Sequence, residues 1–161
     1  HSEYNRFWTE EKKQKAKSLE LSPIEVSILA SIVEKETSVI EEYSTIAGVY
    51  LNRLNKRMPL QADPTVIFAH KDFSIKRVLH KHLEIDSPYN TYKYRGLPPG
   101  PICIPSIQAI NSVLNNKSHN YLYFCAKDDF SGRHVFAKTL RQHNQNARMY
   151  RKALNKRKIY N

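Results

Sequence analysis

Apolar positions recur along this chain with a helical period in five stretches and cluster in two short β-favouring runs. The periodic stretches predict helices over about 22–37, 41–56, 74–83, 106–114 and 137–156. The two runs, 121–126 and 133–137, flank the turn-forming segment KDDFSG and predict a β-hairpin. The pattern therefore indicates an α+β fold that is mainly helical, with one small antiparallel sheet.

The first of these helices has the clearest boundary. Ser22 stands directly before Pro23 and three residues before Glu25, which is a capping box with proline at the first helical position. A helix is therefore expected to begin here and to run to about Thr37.

Glu36 falls on the apolar face of this helix. At about 100° per residue it lies among Leu29, Ile32 and Val33, whereas Glu34 points away. Burial disfavours an ionised carboxyl and raises its pKa, as a general acid working near neutral pH requires. The alternative is a glutamate that only reaches past the edge of the core to water. Glu36 is the first candidate for catalysis.

A short helix is also expected at Asp63, which stands immediately before Pro64. An acidic residue before a first-turn proline is typical of an N-cap. Asp63 is the nearest candidate for a second carboxylate at the site, but the capping role is the favoured interpretation.

The segment 86–106 is predicted to be a long, stiff loop, because it holds five of the eight prolines and two of the four glycines. Long ordered loops in compact domains are commonly functional. Tyr89, Tyr92 and Tyr94 offer flat faces with polar tips that suit stacking on sugar rings. The alternative is a rigid surface connection.

The formal charge of +11 is concentrated at one end of the chain. From Arg133 onward there are nine Lys or Arg and no Asp or Glu, so the remainder holds 17 basic and 15 acidic residues. A basic helix face suits phosphates, anionic lipid headgroups or a carboxylate-bearing polymer, unless it is only solvated. No zinc-finger, basic-zipper or RNA-recognition signature accompanies it, so nucleic acid is not expected as a partner.

The two cysteines, Cys103 and Cys125, match no metal-binding or CxxC redox pattern. Cys125 lies in an apolar run, where a buried free thiol is the commoner situation, and pairing of the two stays open. No metal site and no cofactor are predicted. No run of about 18 apolar residues is present either, so nothing in the sequence predicts a membrane span.

A chain of 161 residues is expected to form one main domain. The charged segment 1–20 is expected to be a linker or N-terminal helix leading from an upstream region, and 21–161 the main domain. In the last helix, His143 and Asn144 flank the apolar stripe and could look into a cleft. A lone histidine in such a place is more often a hydrogen-bonded core residue.

Seven motifs in this order resemble the YceG-like (MltG) family of membrane-anchored endolytic murein transglycosylases. They are ASIVEKET (30–37), LNRL (51–54), LQADPTV (60–66), SPYNTY (87–92), GLPPGPI (96–102), YLYF (121–124) and HN (143–144). The resemblance implies that 21–161 is the catalytic domain. One departure is that many family members have Asn-Pro-Gly after GLPPGPI, where this chain has CIPS (103–106).

By this resemblance Glu36, followed by Thr37, is the catalytic acid. A glutamate and a hydroxyl residue at a helix end are also similar to the motif of soluble lytic transglycosylases and goose-type lysozymes, which implies a lysozyme-like helical core. Residues of the matching motifs are expected to bind substrate: Thr37, Asn52, Gln61, Asp63, Tyr89, Asn90, Thr91, Tyr92, Gly96, Leu97, His143 and Asn144.

The implied reaction is cleavage of the β-1,4 bond from N-acetylmuramic acid to N-acetylglucosamine without water, which leaves a 1,6-anhydro end. The implied setting is the outer side of the cytoplasmic membrane, with a single-pass anchor and a LysM-like domain elsewhere in the protein, beside penicillin-binding peptidoglycan synthases. Three alternatives stay open: a water-using muramidase, a non-catalytic wall-binding module and a nucleic-acid binder.

Overall fold

The computed structural model describes residues 2–160, and the side chains of residues 2–158. Its seven α-helices are α1 (Ser2–Phe7), α2 (Glu10–Ser18), α3 (Pro23–Glu36), α4 (Tyr43–Asn55), α5 (Asp63–His70), α6 (Ile107–Leu114) and α7 (Leu140–Tyr160). The strands are β1 (Tyr123–Ala126) and β2 (His134–Ala137), and two 3₁₀ helices cover Ile40–Glu42 and His80–Glu84. This content confirms the α+β class.

The predicted start of α3 is confirmed in atomic detail. The Ser22 hydroxyl accepts a hydrogen bond from the Glu25 amide at 3.2 Å, and the Glu25 carboxylate accepts one from the Ser22 amide at 3.0 Å. Two amides that have no partner inside the helix are thereby satisfied.

The core is built around α3, which packs against α4, α5 and α6. Its residues Val26, Leu29, Ile32 and Val33 are completely buried. Because α3 crosses the middle of the molecule, its last residue, Glu36, lies where neighbouring elements can surround it.

The N-terminal segment joins the same core. Trp8 precedes α2 and Ala16 lies within it, and both are buried in the hydrophobic cluster that α3, α4 and α6 share. The division of the chain at residue 20 stays a prediction.

The hairpin forms where the two β-favouring runs predicted it. Strands β1 and β2 pair antiparallel in a register that sets Tyr123 opposite Ala137 and Ala126 opposite His134. Helix α7 packs on both strands. The hairpin therefore links α7 to the helical core.

The helix predicted over 74–83 is wrong: only His80–Glu84 forms a 3₁₀ helix. Asp72 turns the chain by accepting a hydrogen bond from the Ser74 amide at 3.1 Å. Leu79 is 46% exposed, and no residue of 74–83 is fully buried, so the segment has no buried face. Because most helical stability comes from packing an apolar face, this segment does not hold a helix.

The capping role predicted for Asp63 is also wrong. Helix α5 starts at Asp63 itself, and its N-cap is Ala62, which provides no side-chain cap. The Asp63 carboxylate instead accepts a hydrogen bond from the Tyr92 hydroxyl at 2.5 Å. The Asp63 carboxylate therefore binds the phenol of Tyr92, which belongs to the 86–106 loop, and not the helix amides.

Cys103 and Cys125 are free thiols, and each is half-buried. Among residues 2–160, no helix is both long and apolar enough to cross a bilayer. Within that same range, no three His, Cys, Asp or Glu side chains are grouped as a metal site would require.

Candidate active site

A cleft of about 340 Å³ opens at the end of α3, between α4, the start of α5, the 86–106 loop, β1 and α7. Six of the predicted site residues lie in its wall: Glu36, Gln61, Asp63, Tyr92, His143 and Asn144. Elements far apart in sequence thus bring two carboxyl groups, a phenol and an imidazole to one place.

Glu36 is the last residue of α3 and is half-buried in this cleft. The Tyr50 hydroxyl, on α4, donates a hydrogen bond to its Oε2 atom. The Tyr50 side chain is only 2% exposed, and its ring packs edge-on against Phe124 at 5.8 Å between centroids. The Tyr50 hydroxyl thus holds the Glu36 carboxyl in place, and the carboxyl faces the cleft.

Burial raises the pKa of Glu36 to about 8, from an ordinary value of 4.5. The hydrogen bond from Tyr50 opposes this rise, because it favours the ionised carboxylate, and the negative charge of Asp63 adds to the rise. At neutral pH the Glu36 carboxyl therefore carries its proton, which is the state a general acid needs.

Asp63 is the second carboxyl in the cleft. Burial raises its pKa, and the hydrogen bond from Tyr92 opposes that rise. Burial, followed by the contact with Asp63, raises the pKa of Tyr92 in turn. The phenol therefore stays protonated and keeps donating to the carboxylate.

Arg53 lies beneath the cleft on α4 and is 6% exposed. Its Nε donates to the Leu122 carbonyl at 2.7 Å and its Nη1 to the Pro59 carbonyl at 2.6 Å. The guanidinium also lies 5.0 Å from the centroid of the Tyr123 ring. Arg53 joins α4 to β1 and puts a positive charge near the site.

His143 stacks on Tyr123, with ring centroids 5.1 Å apart and an interplanar angle of 22°. Its Nδ1 atom is buried and has no hydrogen-bond partner among the described residues. Burial, and then the charge of Arg53, lowers the pKa of His143. The neutral form of the ring is therefore favoured at pH 7, with one nitrogen as donor and the other as acceptor.

Two predicted site residues, Asn90 and Thr91, belong to the 86–106 loop but are buried outside the cleft wall. The Asn90 amide donates to the carbonyls of Leu83 and Ile85, both at 2.9 Å. The Thr91 hydroxyl accepts from the Ala62 amide at 2.9 Å and pairs with the Thr65 hydroxyl at 2.8 Å. Both side chains fix the loop backbone that carries Tyr92.

The remaining predicted residues also lie outside the cleft wall. The Thr37 hydroxyl accepts from the Val39 amide at 3.0 Å. The Asn52 amide donates to the carbonyls of His119 and Tyr121, at 2.8 and 3.0 Å. Tyr89 packs on Phe68, Leu97 packs against the core, and Gly96 turns the loop with a φ of 85°.

Sequence reasoning missed Tyr50 and Arg53 as site residues. Tyr50 belongs to the apolar stripe of α4, and Arg53 follows it by three residues on the same face. The available signal was Arg53, a basic residue at a position that the helical period of α4 predicts to be buried.

Comparison with known proteins settles the family. The family model described as the YceG-like family matches residues 1–149 of this chain. The chain belongs to the YceG-like family. The match also covers the N-terminal segment that packs into the core of this YceG-like chain.

Curated relatives carry the name "Endolytic murein transglycosylase". The protein from Bacillus subtilis is 44% identical over 146 residues, which are 89% of this chain and 39% of that protein. The one from Streptococcus pneumoniae is 40% identical over 134 residues, which are 81% of this chain and 24% of that protein. The YceG-like chain thus spans well under half the length of these relatives.

A solved structure has the same fold. The 2.6 Å crystal structure of a putative YceG-like protein from Listeria monocytogenes superposes with a TM-score of 0.77 at 38% sequence identity. The match covers 84% of this chain and 43% of the Listeria chain.

Proposed function

We propose that this YceG-like chain is the catalytic part of an endolytic lytic transglycosylase that cuts the glycan strands of peptidoglycan. The names of the curated relatives support the substrate and the reaction class. The observation that carries the proposal is Glu36: a carboxyl protonated at neutral pH, held by Tyr50 and facing a cleft.

In the proposed first step, protonated Glu36 donates its proton to the glycosidic oxygen of the N-acetylglucosamine. The bond from that oxygen to C1 of the N-acetylmuramic acid breaks, and positive charge develops at C1. The resulting Glu36 carboxylate is stabilised by the Tyr50 hydroxyl, which already donates to Oε2 in the resting site.

In the second step the C6 hydroxyl of the same muramic acid attacks C1. Glu36 accepts the hydroxyl proton and returns to its starting state, so no water is consumed and a 1,6-anhydro ring forms. One carboxyl thus serves first as acid and then as base. Tyr50 opposes the rise in the pKa of Glu36, which keeps the carboxylate accessible as a base.

Other cleft residues are proposed to bind and orient the glycan. Asp63, positioned by Tyr92, lies where a carboxylate can stabilise charge on the sugar or accept a hydrogen bond from its acetamido group. His143, neutral in this setting, is proposed as a donor through a ring nitrogen on the α7 side of the cleft. Gln61 and Asn144 complete the polar wall.

The proposed place of action is the outer side of the cytoplasmic membrane, where peptidoglycan lies. Within the whole protein we propose a single-pass anchor and association with penicillin-binding peptidoglycan synthases. The murein named as substrate of the curated relatives supports the location, and the anchor and the association follow from the resemblance to the family.

The test is to digest purified peptidoglycan sacculi with this chain and to analyse the soluble products by mass spectrometry. The proposal expects muropeptides with 1,6-anhydro ends. Products heavier by one water, with reducing ends, would show a muramidase. Binding to sacculi without release would show a non-catalytic module.

A further inference from the structure

Helix α7 presents a row of basic side chains that the proposed chemistry does not use. Arg141, Arg148, Lys152 and Lys156 follow one another at intervals of seven, four and four residues, which place them on one face of the helix. All four side chains are exposed. At 1.5 Å per residue this basic row is about 22 Å long.

The charge of the basic row is not neutralised within the fold. Every ion pair found in the described part of the chain lies outside α7. From residue 133 onward the sequence has nine basic and no acidic residues, while the rest of the chain is close to balance. A concentrated field of one sign attracts a ligand of the opposite sign.

The opposite face of α7 is occupied by the protein itself. Ala147, Tyr150 and Leu154 are half-buried on this face, and the Tyr150 ring lies 5.9 Å from that of Phe130 in the hairpin connection. A helix that lies in a membrane interface needs a free apolar face to insert. This helix uses its apolar face for packing, which favours an anionic polymer in the aqueous phase over a lipid surface.

The basic row begins in the same turn of α7 that contributes to the cleft wall. Leu140, His143 and Asn144 of the first turn of α7 line the cleft, and Arg141 lies beside them in the sequence. A polymer that leaves the cleft along α7 would reach Arg141 first and the rest of the row after it.

We propose that the basic row binds the carboxylates of the peptides attached to the muramic acids of a glycan strand, on the part of the strand beyond the cleaved bond. The proposal rests on the proposed function, since it takes the cleft to hold a glycan. It makes the peptide-bearing strand, and not the bare glycan, the preferred ligand.

The test measures binding and not cleavage, in a Glu36→Gln background that leaves the strands intact. One variant carries Arg141→Gln, Arg148→Gln and Lys152→Gln. The matched control carries Lys76→Gln, Arg77→Gln and Lys81→Gln, which removes the same charge from exposed positions of another segment. Thermal unfolding by circular dichroism verifies that both variants keep the fold. Each protein is sedimented with purified sacculi and with sacculi whose free carboxyl groups have been converted to amides by a carbodiimide and ammonia, which keeps the cross-linked sacculi insoluble.

The proposal expects the basic-row variant to bind intact sacculi about tenfold more weakly than the control at low salt, and the gap to close as salt rises. On amidated sacculi the two proteins should bind equally. Equal binding to intact sacculi would overturn the proposal, as would a gap that persists on amidated sacculi. Tighter binding to phosphatidylglycerol vesicles or duplex DNA than to sacculi, lost in the basic-row variant, would overturn it in favour of a different anion.

Failure of the proposed function gives a different result. If the chain with Glu36 intact releases no anhydro products while the carboxylate-dependent binding gap persists, the chemistry is refuted and the ligand of the basic row is confirmed.

Discussion

Two opposing effects act on the Glu36 carboxyl, and their balance defines the site at the scale of single residues. Burial and the charge of Asp63 favour the protonated form, while the Tyr50 hydroxyl favours the ionised form. A carboxyl that donates a proton and later accepts one works best when neither its protonated nor its ionised form is strongly favoured. Beside burial, these influences come from side chains on two elements, Tyr50 on α4 and Asp63 on α5.

Replacing Tyr50 by phenylalanine removes the donor that lowers the pKa of Glu36. We expect the alkaline limb of the pH–rate profile, set by ionisation of Glu36 near pH 8, to move to higher pH. The maximal rate should fall roughly tenfold or more, because the Glu36 carboxylate loses a hydrogen bond worth about 1.5–3 kcal/mol. The measurement is the initial rate of product release from sacculi between pH 5 and 10.

The control for this variant is Tyr94→Phe. The Tyr94 hydroxyl also donates to a carboxylate, that of Asp86, at 2.5 Å, but it lies on the exposed side of the loop. The control profile should match that of the unmodified chain. A Tyr50→Phe limb that stays in place or moves to lower pH would contradict the account.

The raised pKa of Glu36 also links folding stability to pH. The folded chain holds this proton up to about pH 8, whereas the unfolded chain releases it near pH 4.5. The stability that Glu36 contributes is therefore fully present below pH 4.5 and is lost as pH rises from there to about 8. The loss has an upper limit of about 1.4 kcal/mol per pH unit.

Urea unfolding of the unmodified chain and of Glu36→Gln from pH 4 to 9 measures this linkage. The unmodified chain should lose stability relative to the variant as pH rises through that interval, because glutamine does not titrate. The difference isolates Glu36 from Asp63 and His143, which titrate in both proteins. A difference that is constant with pH would mean that the carboxyl is ionised in the folded chain.

At the scale of elements, the 86–106 loop has no helix or strand of its own, and its buried side chains hold it in place. Asn90 is completely buried. Its side-chain amide donates to two carbonyls of the preceding segment, and its side-chain Oδ1 accepts from the Tyr92 amide at 3.0 Å. The position of Tyr92, and through it that of Asp63, depends on these contacts.

We expect Asn90→Ala to lower the free energy of unfolding by about 3 kcal/mol, because two partly buried carbonyls lose their donor. Asn55→Ala is the control, since Asn55 is exposed on α4 and should change stability by about 0.5 kcal/mol or less. Urea unfolding at pH 7 measures both. If the two substitutions have equal effects, Asn90 does not anchor the loop.

Local signals in the sequence correctly predict the elements whose ends and buried faces they specify. The capping box located the start of α3, and its helical period singled out Glu36. The same reasoning failed for 74–83, whose apolar residues have the right spacing but no surface to pack on. It also failed for Asp63, because the competing phenol of Tyr92 comes from a residue 29 positions away. Long-range pairings of this kind, Tyr50 with Glu36 included, follow only from how the helices pack.

At the scale of the whole molecule, helix α7 connects the cleft with the basic row. The cleft lies where α3, α4 and the loop meet the hairpin, and α7 runs from its rim with the basic row exposed. A glycan polymer with charged peptides suits such an arrangement, because one part of the strand is processed while the next is held.

The most direct test of the central claim compares Glu36→Gln with Glu34→Gln on purified sacculi at pH 7. Glu34 lies on the same helix, two residues earlier, and its carboxylate accepts from the Ser106 amide at 2.9 Å, outside the cleft wall. Glu36→Gln should keep the fold and lower the release of anhydromuropeptides by about 10²-fold to 10⁴-fold, as loss of a general acid does. Glu34→Gln should stay within a few-fold of the unmodified chain. Folded Glu36→Gln protein that releases these products at the unmodified rate would contradict the account.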